Sequence, residues 1–245
     1  MRNSTNLKKN NMKKLIILLI IPIMFGCSST KTLKFTHRPP DVTTTPSLKI
    51  FLANNYPPKV VLRVNKTSQN VTDNENNDRL YALIDNRLLA NGFIVRDRQL
   101  FNQIIGNQEN NVDYKKLKDK TDTDLIIELT KLETNILYKT NKYYTKKGKE
   151  NFEKTDSYER AGASVEFKII LINSNELAGL YKFYWVPCDE ETGGCILTES
   201  AKDIKKEMKN SKKGKTQGYE IVMDKEEMEA FIKDATDKLV NEMKK

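Results

Sequence analysis

Between residues 73 and 92 the apolar positions fall in helical rhythm. Leu80, Leu83, Ile84 and Leu88 stand at i, i+3, i+4 and i+8, which puts them on one face of a helix. Asp73 or Asn74 is placed to cap its start, where a short polar side chain accepts from free amides, and Gly92 to end it in a left-handed turn. A second stripe, Met228, Phe231, Ile232, Ala235, Leu239 and Met243, predicts a helix that packs on a sheet, with Asp224 and Glu227 spaced as a capping box. The other apolar runs are short and β-branched, as buried strands require: 60–64 (VVLRV), 93–95 (FIV) and 125–132 (LIIELTKL). Residues 164–172 and 177–185 flank the polar turn Asn173, Ser174, Asn175, Glu176 and predict a long hairpin. Asp97 can cap a short helix over 99–105, and 113–119 forms a further helical turn.

Ahead of these elements lies an apolar run of a different kind, residues 15–25 (LIILLIIPIMF), preceded by Lys13 and Lys14 and followed by Gly26 and Cys27. At about 1.5 Å per residue its eleven residues cover about half of a ~30 Å hydrocarbon core, too short for a stable span and suited to a signal peptide. The ending MFGC resembles the bacterial lipobox, in which a small residue precedes a cysteine that is acylated on sulfur and becomes the new N-terminus. Gly26 and Cys27 fit that pattern; Met24 and Phe25 depart from its usual residues. Met12 is a second candidate start, since Met12, Lys13 and Lys14 make a standard basic leader. Ser28 rather than Asp after the cysteine resembles the signal for the outer membrane. Several acyl chains, at ~0.8 kcal/mol per buried methylene, give stable anchoring.

From residue 28 to 58, Ser, Thr, Lys and Pro dominate, and Pro39, Pro40, Pro46, Pro57 and Pro58 interrupt regular structure. The expectation is a signal peptide over 1–26, a lipidated Cys27 with a flexible tether to 58, and a single periplasmic domain over 59–245.

Charge changes the picture little. Of 42 Lys and Arg, five precede Cys27, and the remaining 37 face 33 Asp and Glu, so the formal net charge of +9 falls to +4 in the mature chain. The arginines form no run, and a solvated surface accounts for this excess better than a nucleic-acid partner.

The order strand, helix, strand, two short helices, strand, hairpin, helix is carried by DRLYALIDNRLLANGFIVRDR, TDTDLIIELTKLE and SVEFKIILINSNELAGLYKFYW. It resembles the domain shared by curli-secretion lipoproteins (CsgG-like), penicillin-binding-protein activator lipoproteins (LpoB-like) and the N-terminal domain of TolB, over roughly residues 58 to 240. Val95, Arg96, Asp97 and Arg98 match the phrase ending one strand of that family, and Thr123, Asp124, Leu125, Ile126 and Ile127 the phrase opening the next. The hairpin turn departs from the family's pattern by lacking a glycine. The resemblance implies an α/β (α+β) fold, a small mixed β-sheet flanked by helices on both faces, that serves as a periplasmic interaction module without a catalytic centre. It also raises a secretion-channel subunit as the alternative. The insertions at 134–163 and 186–220 sit where such a channel extends hairpins, but their charges fall on every face, whereas a barrel strand needs apolar residues at alternate positions.

Candidate chemistry is sparse. The single histidine, His37, lies in the expected tether and there lacks a fixed partner for acid–base work. Cys188 and Cys195 bracket DEETGG. In an oxidising compartment they suit a disulfide; a metal site with Asp189, Glu190 or Glu191 and a pair of free thiols are the other readings. A rigid acidic loop beside Trp185 makes Trp185, Asp189, Glu190 and Glu191 the candidate partner contacts. Tyr138, Tyr143, Tyr144 and Tyr158 interleave with Lys139, Lys142, Lys146 and Lys147, a pattern read as a loop that packs when a partner binds. No phosphate-binding glycine loop precedes a helix, and neither a cofactor nor a metal is expected. The expected function is a non-catalytic, lipid-anchored docking module for an envelope protein.

Overall fold

The computed structural model describes residues 30–64, 75–105, 114–154, 157–198 and 225–245 and is a mixed α/β structure. Its strands are β1 (Thr30–Leu33), β2 (Asp41–Thr44), β3 (Lys59–Val64), β4 (Ile94–Val95), β5 (Leu125–Thr140), β6 (Lys142–Thr145), β7 (Glu150–Phe152), β8 (Tyr158–Leu171), β9 (Glu176–Trp185) and β10 (Cys195–Thr198). Its helices are α1 (Pro46–Asn54), α2 (Glu75–Ala90), α3 (Arg98–Ile105), α4 (Tyr114–Thr121) and α5 (Lys225–Lys244). The residues cluster into two compact units where the sequence predicts one domain; the larger draws on 34–142, 152–195 and 218–245, the smaller on 1–33, 143–151 and 196–217, so far as these are described.

The larger unit holds a six-stranded sheet in the order β2-β9-β8-β5-β3-β4. β3 runs parallel to both β4 and β5, and the remaining neighbours are antiparallel, so the sheet is mixed. Because successive side chains of a strand point to opposite faces, Val60 and Leu62 enter one core layer and Val61 the other, as do Leu125 and Ile127 against Ile126. The first layer is closed by Leu48 and Leu52 of α1, Tyr81, Ile84 and Leu88 of α2, and Phe231, Ile232, Leu239 and Met243 of α5. On the opposite face, Phe101 of α3 and Leu117 of α4 cover Val61, Ile126, Ile170 and Ile172. Both faces of the sheet therefore carry helices.

The segment 30–58, expected as a tether, is instead built into the fold. Thr45 caps α1 by accepting from the Leu48 amide at 3.4 Å, and Pro46 stands at the first turn, where its missing N–H would have had no partner in any case. Leu48 and Leu52, one helical turn apart, are buried against the sheet. A proline read as an interruption is thus a helix start, and the folded region begins by Thr30.

Helix α2 stops where the sequence predicts. The Phe93 amide donates to the Leu88 carbonyl at 3.0 Å and that of Gly92 to Leu89 at 2.9 Å, the paired closure that requires a left-handed residue; Gly92 has φ +86°. The N-cap candidates Asp73 and Asn74, and Asp224 of the expected capping box, lie outside the described residues. Asp97 caps α3, its Oδ1 accepting from Leu100 at 2.7 Å. In the β8–β9 turn Asn175 takes φ +51°, the conformation a glycine would supply, which asparagine tolerates.

β5 runs well past the expected end at residue 132. Its pairing with β8 continues from Leu125↔Leu171 to Thr140↔Tyr158, across two irregularities, so much of the expected insertion at 134–163 is strand. Beyond the core these strands carry charges that meet across the pair, as Lys139 and Glu159 do at 2.8 Å, and such a strand shows no apolar alternation.

The smaller unit contains a four-stranded sheet in the order β10-β1-β6-β7. β1 and β6 are antiparallel, with Lys31 opposite Thr145 and Thr32 opposite Tyr144. After β6 the chain reverses through Lys146, Lys147 and Gly148. The Gly148 amide donates to the Thr145 carbonyl at 2.8 Å and the Thr145 amide to the Lys149 carbonyl at 2.9 Å.

Candidate interaction site

The expected contact residues lie where β9 ends. Cys188 and Cys195 are joined by a disulfide with Cα atoms 4.8 Å apart, so of the three readings of these cysteines the disulfide holds. Among the described residues no three metal-ligating side chains stand together in a suitable group.

The loop inside the disulfide is ordered by its own backbone. Asp189 accepts the Glu191 amide on Oδ1 at 2.9 Å, and its carbonyl accepts the Gly194 amide at 2.9 Å and the Thr192 hydroxyl at 3.0 Å. This spends one carboxylate internally. Glu190 and Glu191 stay exposed, whereas Trp185 is half-buried and packs against the main core.

The loop is also held by the segment around Phe35 and His37, part of the expected tether. The Phe35 amide donates to the Cys188 carbonyl at 3.1 Å and the Glu190 amide to the Phe35 carbonyl at 3.0 Å, a single rung of parallel β-bridge. The His37 amide then donates to Glu190 Oε1 at 3.1 Å, and the His37 ring meets Asp189 Oδ2 at 2.7 Å and Glu191 Oε2 at 3.4 Å. The hydrogen bond to Asp189 raises the imidazole above its ordinary 6.5; partial burial opposes the shift, the Asp189 and Glu191 charges add to it, and Lys238 counters it. His37 is thus a fixed residue with carboxylate partners.

Aromatic packing fixes the same region. Phe35 is buried, with its ring edge-on to Tyr138, centroids 5.9 Å apart. The Tyr138 ring lies over Gly162, where a Cβ would sit 2.5 Å from the ring and 2.7 Å from the Trp185 carbonyl oxygen, so the approach depends on glycine. The Arg38 guanidinium stacks 3.6 Å from the Tyr184 ring centroid, and the Tyr184 hydroxyl donates to Asp41. Burial and that acceptor push the Tyr184 phenol up to about 12.

Phe35, His37, Arg38 and Tyr184 were therefore missed as members of this region. The alternation of Leu33 and Phe35 with Lys34 and Thr36 is the local sign of extended chain, outweighed by the prolines that follow it. Of the remaining expected residues, Tyr138 and Tyr158 belong to β5 and β8 and Tyr143 and Tyr144 to β6, while Cys27 lies outside the described residues. No helix among the described residues is long and apolar enough to cross a membrane. No protein-family model matches the chain, and no match is found among curated proteins.

What the site offers chemically is a rigid, acidic, exposed edge. Glu190 and Glu191 project from a loop fixed covalently at its base and hydrogen-bonded along its side, so binding there costs little ordering entropy.

Proposed function

We propose that this protein is a bacterial lipoprotein of the outer membrane, facing the periplasm, that works as a non-catalytic docking module for a protein of an envelope assembly, secretion or cell-wall synthesis complex. The anchor reading rests on residues 15–27, a run too short to remain as a span and ending in a cysteine of lipobox type. The docking reading rests above all on the preordered acidic loop 188–195, with the exposed Glu190 and Glu191 facing solvent where a basic surface can meet them. Their charge favours a partner rich in Lys or Arg and an association that weakens with salt. The resemblance to curli-secretion, synthase-activator and TolB-type domains agrees with a role of this kind.

Crosslinking in intact envelopes, read by mass spectrometry, tests both parts. The expected result is one dominant partner crosslinked near the loop, with acylated Cys27 as the first residue. A mature chain that retains Met1 or Met12 without lipid would sink the anchor reading, and crosslinks spread evenly over unrelated proteins would sink the docking reading. A ring-shaped oligomer with ion conductance in detergent would favour the channel alternative.

A further inference from the structure

Strand β1 begins at Thr30, three residues past Cys27. Three backbone steps span at most about 11 Å, close to a physiological Debye length of ~8 Å. If Cys27 carries the lipid, β1 has no slack to leave the headgroup layer. The neighbouring strand of the same sheet, β6, places Thr145 opposite Lys31 and then turns through Lys146, Lys147, Gly148 and Lys149, one strand spacing of ~4.8 Å from β1.

That turn is fully displayed. Lys146, Lys147 and Lys149 are exposed, and no carboxylate pairs with them among the described residues. Lys31 holds its ammonium 4.9 Å from the centroid of the Tyr143 ring. Ile196 of β10, in the same sheet, is 69% exposed. Against these four lysines the described part of this unit carries one carboxylate, Glu150, which accepts from the Tyr144 hydroxyl at 3.2 Å.

We propose that this small sheet is a membrane-docking surface: the Lys146–Lys147–Lys149 turn rests on anionic phospholipid headgroups of the leaflet that holds the Cys27 acyl chains, with Ile196 entering the interface. The inference rests on the anchor reading, because the short spacer commits the occupant to a lipid surface. Lysines near an anionic leaflet strengthen attachment by roughly fivefold each, an effect that disappears with salt. The lipid chains supply attachment and the lysine turn supplies orientation.

The test uses the full acylated protein purified from membranes and reconstituted into vesicles. Lysines are labelled with a membrane-impermeant acylating reagent and quantified by mass spectrometry, in vesicles of phosphatidylethanolamine with phosphatidylglycerol, in vesicles of phosphatidylcholine alone, and in detergent. Labelling of Lys146, Lys147 and Lys149 should fall about fivefold in the anionic vesicles and recover in high salt. Equal labelling in all three, with the N-terminal peptide showing acylated Cys27, overturns the docking surface and leaves the anchor standing. An unacylated Cys27 overturns the anchor and the docking surface with it. Protection in intact cells but not in vesicles assigns the turn to a protein and likewise overturns the proposal.

Discussion

His37 and Asp189 are separated by 152 residues of chain, yet the imidazole Nδ1 and the carboxylate Oδ2 stand 2.7 Å apart. The contact joins a segment that precedes the whole α/β core to the disulfide loop that follows its last long strand.

Acidity should govern that contact. The folded imidazole titrates above its unfolded value of 6.5, so its contribution to stability is complete below that value and is lost as pH rises through the higher folded one. Thermal midpoints of the wild type and His37→Gln should differ most below the unfolded value of 6.5 and converge as pH rises above it. A gap of constant size from below to above that value would exclude the linkage.

Reduction of the Cys188–Cys195 bond should loosen the loop without unfolding the sheet. The entropy of closing a loop between cysteines seven apart amounts to about 2 kcal/mol. Hydrogen exchange at the Phe35 and Glu190 amides, whose acceptors lie across the bridge, should accelerate on reduction while the Ile127 and Val165 amides in the core stay protected. Unchanged exchange at Phe35 would show that the bridge needs no disulfide.

Leu48→Ala tests whether the region before β3 belongs to the folded unit. Leu48 is fully buried against the sheet, and truncating such a side chain costs about 2–5 kcal/mol. Urea denaturation should show a lowered midpoint with unchanged slope. A flexible tether would give no shift.

Long elements signal themselves in the sequence more plainly than short ones, for physical reasons. Leu80, Leu83, Ile84 and Leu88 announce α2 because a long amphipathic helix repeats its signal over several turns. α1 has nine residues and only two buried leucines, behind a proline that reads equally as a break or as a first turn. β2 offers one apolar residue, Val42, in four, as edge strands often do. The disulfide could be weighed from spacing and compartment, but no local pattern links His37 to Asp189 across 152 residues. The extension of β5 was hidden because its outer part replaces apolar alternation with cross-strand charges.

Asp85 supplies a second titration, of the same sense but at lower pH. On the buried side of α2 its Oδ1 accepts no hydrogen bond among the described residues, and burial pushes the carboxyl up to about 6, with Arg98 opposing and Asp97 adding to the rise. The folded state therefore holds this proton more tightly than the unfolded one, whose value is 3.8, and stability from this group falls as pH rises between the two. Asp85→Asn should be more stable than the wild type above about pH 6, with the advantage shrinking toward about pH 4. Urea midpoints at the two ends of the range decide it, and a variant weaker than the wild type at both would refute the burial penalty.

The edge strand β2 pairs with β9, so residues 41–44 have no place to bind until residues 176–185 exist. A ribosome or a translocation channel delivering the chain from its N-terminus hands over this strand early and its template late. Large loops must close before the sheet is complete, which slows folding. In the interval the backbone groups of the early strand have no partner in the sheet and stay hydrogen-bonded to water.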